Sequence, residues 1–313
     1  MKKTFYTLSF IFLVGTTAFA QKMQWIPFNW EGDSLGGKYF DKVAMTIPVS
    51  LDAMPYKMMM QFDLGAMVTV VYGNPIAPFL AKNPQFASKI DTTMTFRMQS
   101  QTNPKFKDVA LKLGNVSFGK RNIGFFKNFG DAILPESINS PTEKLIGTIA
   151  PDLFENRILV IDYPHKRLCV VDELPRKMKK ATFQDMKIQD GRIKIPFSVG
   201  DSIYDVMFDT GSSIFDMMTD AENLKKCTLP NTPVSDSLKI SSWGNFFYVY
   251  SMPFNKPFRF GKKSFPNAKV YFSKGADELN FNRDEKILGI TGNALFLNNT
   301  VIIDYKKKKF GVL

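Results

Sequence analysis

The chain of 313 residues contains a single histidine, His165, and only two cysteines, Cys169 and Cys227. One histidine excludes a zinc site built on several imidazoles. It also disfavours Ser–His and Cys–His hydrolases, whose nucleophiles need an adjacent base. His165 falls in Tyr163-Pro164-His165-Lys166, which has the composition of a hairpin turn. A solvated turn histidine is expected there rather than a catalytic one. A glycine-rich phosphate loop running into a helix is also lacking, so nucleotide binding has no support. No cofactor and no metal are expected. Hydrolytic chemistry, if present, must then come from carboxylates.

Apolar runs beyond the first 20 residues are broken by charges or prolines, so no membrane span is expected after them. The N-terminus itself reads as a secretory signal peptide. Lys2 and Lys3 precede an apolar stretch over residues 5–14, and Ala18-Phe19-Ala20 supplies the small-residue cleavage pattern. Cleavage after Ala20 would leave an exported chain, periplasmic or extracellular. In such an oxidising compartment Cys169 and Cys227 could pair, or stand as two unrelated buried thiols. The formal charge is +12, with its densest run at Lys306-Lys307-Lys308-Lys309. That run lies between Val301-Ile302-Ile303 and Phe310-Gly311-Val312-Leu313, so a solvated turn explains it better than a nucleic-acid patch.

Internal repetition decides the architecture. Ile47-Pro48-Val49-Ser50 recurs as Ile195-Pro196-Phe197-Ser198, and Phe62-Asp63-Leu64-Gly65-Ala66 as Phe208-Asp209-Thr210-Gly211-Ser212. Leu113-Gly114 with Ser117-Phe118 returns as Phe260-Gly261 with Ser264-Phe265. The longest match comes last. Leu145-Ile146-Gly147, Leu153-Phe154, Asn156 and Ile161-Asp162-Tyr163 return as Ile287-Leu288-Gly289, Leu295-Phe296, Asn298 and Ile303-Asp304-Tyr305. Four anchors in one order, offset by 142 to 148 residues, describe two copies of one unit.

Each unit reads as mostly β, with strands over residues 43–51, 58–62, 109–113, 158–161 and 168–171 separated by Gly, Pro and Asn. Short helices are expected near residues 78–82, 150–155, 220–226 and 292–297. The boundaries follow: a signal peptide at 1–20, a first lobe at 21–172, a linker at 173–190 and a second lobe at 191–313. The Phe and Met surplus, including Met58-Met59-Met60, is most simply core filling.

An isolated Asp in an Asp-x-Gly turn ordinarily caps nearby backbone N–H groups. Duplication changes that reading. If the units face each other across a pseudo-twofold axis, equivalent turns can meet there, and Asp63 and Asp209 share a site. Two carboxylates in contact cannot both ionise, so they hold one proton between them. One can then deprotonate a water while the other donates to a carbonyl oxygen.

The Phe-Asp-Thr-Gly-Ser-Ser stretch, the two apolar-apolar-Gly elements at residues 145–147 and 287–289, and the closing Asp-Tyr hairpins resemble the pepsin-like aspartic peptidases, in particular bilobed members exported by bacteria. The resemblance spans essentially the whole chain after the signal. It implies a mostly β fold of two pseudo-twofold-related, β-barrel-like lobes with few short helices. It implies Asp63 and Asp209 as the catalytic dyad, with Gly65, Thr210, Gly211 and Ser212 forming the supporting turns and Thr210 bonding across to the opposite turn. A substrate flap is implied over residues 94–113, carrying Phe96, Met98, Gln99 and Phe106. Three features depart from the family pattern: Leu64 stands where the second lobe has Thr210, Ala66 stands where a hydroxyl residue is usual, and the flap has no tyrosine.

Two functions are compatible with these residues. One is an exported endopeptidase acting on polypeptides as a monomer, without nucleic acid or membrane partners. The other is a protein of the same fold that binds peptide or protein without cutting it.

Overall fold

The computed structural model describes residues 23–313. The signal peptide expected at residues 1–20 lies outside them. Three sheets account for the strands. The first is eight-stranded, from Asn29–Leu35 to Lys144–Ile149, and pairing of Lys38–Leu51 with Gln101–Leu113 curls it toward a barrel. The second is ten-stranded and gathers Lys187–Gln189 through Ile290–Thr291. The third is six-stranded and antiparallel, and it is built from both halves.

That third sheet places the symmetry axis. Its two central strands are Ile158–Asp162 and Thr300–Asp304, the last matching segments of the repeat. They pair antiparallel with Val160 opposite Ile302 and Ile158 opposite Asp304. Val160 and Ile302 are themselves equivalents in the repeat, so the pairing is a local twofold contact between two copies of one segment. The two halves therefore face one another.

The same crossing recurs in each lobe. Met58–Phe62 runs parallel to Lys144–Ile149, which is antiparallel to Val70–Tyr72. In the second lobe Ser202–Phe208 runs parallel to Ile290–Thr291, which is antiparallel to Met217–Asp220. The crossing is tight at Gly147 and Gly289. A Cβ there would overlap the carbonyl oxygen of Val70 or of Met218, so neither position has room for a side chain. The expected fold class, mostly β in two related lobes with few short helices, is the one observed.

The expected strands are present, several of them longer than expected. Residues 173–190, expected as a linker, hold paired strands of their own. Thr182–Asp185 pairs with Lys309–Val312, and Lys187–Gln189 with Arg192–Val199. One ten-residue helix, Ala276–Glu285, escapes the sequence reading because it has almost no apolar face. Polar tertiary contacts hold it instead: Asn282 Nδ2 donates to Asp220 Oδ2 at 2.8 Å, and Arg192 and Lys194 grip Glu285. Among the described residues, no helix is long and apolar enough to cross a membrane.

The phenylalanine surplus is core. Every one of the largest fully buried side chains is a phenylalanine, and Met58, Met59 and Met60 are buried with them. Each such ring contributes roughly 1.5–3 kcal/mol relative to exposure, so these residues go far to hold the two lobes together. Cys169 and Cys227 are two separate buried thiols, each pushed up to about 12 by burial. His165 lies exposed in its turn, against Asp162 at 2.8 Å.

Candidate active site

Asp63 and Asp209 each follow a strand that ends beneath the neighbouring lobe. Their backbones are anchored alike: Asp63 N–H donates to Ile149 O at 2.9 Å and Asp209 N–H to Thr291 O at 3.0 Å. Each carboxylate then turns into its own Asp-x-Gly loop. Gly65 and Ala66 N–H donate to Asp63 Oδ1 at 2.9 and 3.1 Å, and Gly211 N–H donates to Asp209 Oδ1 at 2.7 Å. This is the backbone capping that the bland reading of the motif predicts.

The tertiary structure adds reciprocity. Gly65 lies against the Asp209 carboxyl, where an added Cβ would come within 2.5 Å of both oxygens. Gly211 lies against Asp63, with the corresponding distances 2.8 and 2.9 Å. Each glycine thus makes room for the acid of the opposite lobe. The two side chains share a hydrogen bond.

Electrostatics follow from that contact. Burial raises the Asp63 pKa well above the ordinary carboxylate range; the charge of Asp209 and their hydrogen bond raise it further. The Gly65 and Ala66 amides oppose the shift only in part. Burial also raises Asp209, but the bond from Asp63 and the amides of Gly211, Ser212 and Gly65 pull it back. The pair accordingly holds one proton between its two carboxyl groups, favoured on Asp63, while Asp209 faces the cleft.

Thr210 makes the cross-lobe contact that the resemblance implies. Its Oγ1 accepts from Leu64 N–H at 2.9 Å and donates to Phe62 O at 2.8 Å, locking the two turns together. Leu64 offers no reciprocal hydroxyl and is instead fully buried in the core. Support on the second-lobe side comes from Asn293, which donates to Thr210 O and Ser213 Oγ at 2.9 Å each. Asn293 Oδ1 in turn accepts from Tyr163 O–H at 2.6 Å. Sequence reasoning missed Asn293, which carries no motif, and read Tyr163 only as part of its closing hairpin. The Ser212 hydroxyl is buried without a partner.

The candidate flap is a two-stranded ribbon, Ile90–Met98 paired with Gln101–Leu113. Gln99 and Ser100 form its tip, both with positive φ (47° and 62°), the geometry of a tight two-residue hairpin. Phe96 and Met98 are half-buried beneath it. Phe106 is not a flap residue. It is fully buried and stacked on Phe86 at 4.8 Å, because its strand dives into the barrel well before that position.

The flap also has a counterpart. Asp236–Ser242 and Asn245–Pro253 form a second ribbon whose tip, Trp243-Gly244, again has two positive φ values (48° and 87°). Trp243-Gly244 follows Gln99-Ser100 by 144 residues, within the span of the repeat offsets. The two tips meet: Gln99 Nε2 donates to Trp243 O at 2.8 Å. The indole continues into a ladder, lying 5.7 Å from Phe129, which packs 4.9 Å from Tyr72. Buried Tyr72 bonds Thr148 Oγ1, and its pKa is pushed to about 12 by burial, despite that bond. Duplication implied a partner for the flap, but the unlike residues at the two tips hid it.

Under the bridge lie two cavities. One, of about 650 Å³, opens on Asp209 and runs along the second lobe past Phe247 and Phe281. The other, of about 460 Å³, lies between Gly65 and the two tips. Both are large enough to hold peptide side chains.

No family model matches the chain, and no curated protein matches it. Solved structures do. The aspartic proteinase from Irpex lacteus is 13% identical, over 93% of this chain and 96% of that one, with a TM-score of 0.47. The basic 7S globulin from soybean is 10% identical, over 93% of this chain and 94% of that one, with a TM-score of 0.48. Likeness at this level says nothing about activity.

Proposed function

We infer that this protein is an exported aspartic endopeptidase that hydrolyses polypeptides with a water activated between Asp63 and Asp209. The observation that carries this reading is the reciprocal seating of each acid on the other lobe's glycine, in a cleft between two lobes. Ionised Asp209 takes a proton from the water, and protonated Asp63 donates to the scissile carbonyl oxygen as the water attacks. The amide hydrogen bonds keep both carboxyl planes fixed, so little reorganisation accompanies the step. The bridging tips exclude bulk water from the cleft and part to admit a peptide.

Cleavage of an unfolded protein at mildly acid pH, abolished in Asp209→Asn and blocked by a statine peptide, is the expected result. No turnover in a folded wild-type preparation across pH 3 to 7 overturns it. Leu64 favours a second reading, in which the cleft binds peptide without cutting. Its lost hydroxyl removes half of the cross-lobe lock and leaves the first turn less rigidly held. Tight peptide binding without turnover identifies that case.

A further inference from the structure

The cavity between Gly65 and the two hairpin tips has a lopsided charge. Its wall includes two arginines, Arg97 from the first-lobe ribbon and Arg192 from the second lobe, and no carboxylate. Arg97 is exposed near the flap tip. Arg192 is fixed. Its Nη1 donates to Glu285 Oε1 at 2.6 Å, and its guanidinium lies 5.3 Å from the centre of the Phe281 ring.

Glu285 does not neutralise Arg192 alone, because Lys194 Nζ lies 2.8 Å from its other oxygen. Two cations share one anion in a site where Lys194 is 4%, Glu285 11% and Arg192 20% exposed. One positive charge is left over at the wall of the cleft. Burying an unmatched charge is costly, and Arg192 Nε is buried without a hydrogen-bond partner, as is Glu285 Oε2 on the carboxylate that it pairs with. Asp209 lines the adjoining larger cavity together with Arg192, but the ion pair that Arg192 makes is with Glu285. Asp277 borders the larger cavity at its exposed rim and does not line this one.

We propose that this chamber is a subsite for an acidic side chain of the bound polypeptide, with Arg192 as its fixed anchor and Arg97 closing over it from the flap. A carboxylate of Asp or Glu matches the planar fork of a guanidinium and supplies the absent negative charge. The chamber is reached past Gly65, so the acidic residue lies within a few positions of the scissile bond. This rests on the cleft being a peptide site, and not on the cleft being catalytic.

The test uses statine hexapeptides in which Glu or Gln occupies each flanking position in turn, with binding measured by calorimetry. At one position Glu should bind about tenfold or more tightly than Gln. Arg192→Met should erase that ratio while leaving the Gln peptides unchanged. Lys194 still pairs Glu285 in that variant, which protects the fold. Arg97→Gln, at an exposed site, should reduce the ratio without affecting stability. Equal binding of Glu and Gln at every position, or a Glu preference surviving in both variants, overturns the proposal. A preference that depends on Arg192 in a protein that cleaves nothing leaves the subsite standing and removes the endopeptidase.

Discussion

Gly65→Ala and Gly211→Ala distinguish a shared acid pair from two independently capped aspartates. Neither glycine has a positive φ, so alanine meets no backbone penalty, and the effect is purely one of space. An added Cβ at residue 65 would stand 2.5 Å from the Asp209 oxygens, and at residue 211 it would stand 2.8 to 2.9 Å from those of Asp63. The nearest atoms are the Cγ carbons, at 2.3 Å in Asp209 and 2.8 Å in Asp63, and ordinary contact begins near 3.4 Å, so Asp209 must retreat by about 1.1 Å and Asp63 by about 0.6 Å. The obstructed atoms end a side chain, so the carboxylate gives way rather than the backbone. Overpacking of this kind costs roughly 1–3 kcal/mol of stability. A displacement near 1 Å at reacting groups costs about 10²-fold in rate. Gly65→Ala should therefore lower kcat/KM about a hundredfold, Gly211→Ala should lower it less, and both should stay folded. Turnover of a quenched fluorescent peptide at mildly acid pH, alongside thermal melts, reads both quantities. Wild-type activity in Gly65→Ala, or a larger loss in Gly211→Ala, would refute the reciprocal packing.

Two further outcomes follow from the same geometry. Thr210→Val keeps the shape but strips the acceptor from Leu64 N–H and the donor from Phe62 O, both buried. It should cost about 2–6 kcal/mol in denaturant unfolding, at roughly 1–3 kcal/mol for each unpaired group. A loss under 0.5 kcal/mol would mean that the two turns are not locked through it. Asp63 has its proton affinity raised by folding, so that contribution to stability is present at low pH and is lost as pH rises through its folded pKa. Asp63→Asn keeps the acceptor for the Gly65 and Ala66 amides and cannot ionise. Its melting temperature should match wild type near pH 3 and exceed it increasingly toward neutral pH. A gap that shrinks with rising pH contradicts the assignment of the proton.

Much of this molecule was legible in its residues. The duplication identified both acids and both glycines before any coordinates, because identical short motifs must do identical local work in each copy. The strand pattern and the hairpin turns at residues 163–166 and 305–308 were equally readable, since alternation and turn chemistry are local. Long-range facts were not. That Phe106 belongs to the core depends on where its strand enters the barrel. That the helix Ala276–Glu285 forms depends on ionic contacts from strands some 90 residues earlier.

Order along the chain fixes which residues are equivalent, and hence that Asp63 has Asp209 as its counterpart. It does not fix how the equivalents approach. The pairing of Val160 with Ile302 sets that, and with it the distance between the acids, the meeting of Gln99 with Trp243, and the surplus charge around Arg192. Local sequence dictates backbone shape over a few residues, whereas a site assembled from two lobes exists only once burial of the shared core has brought them together.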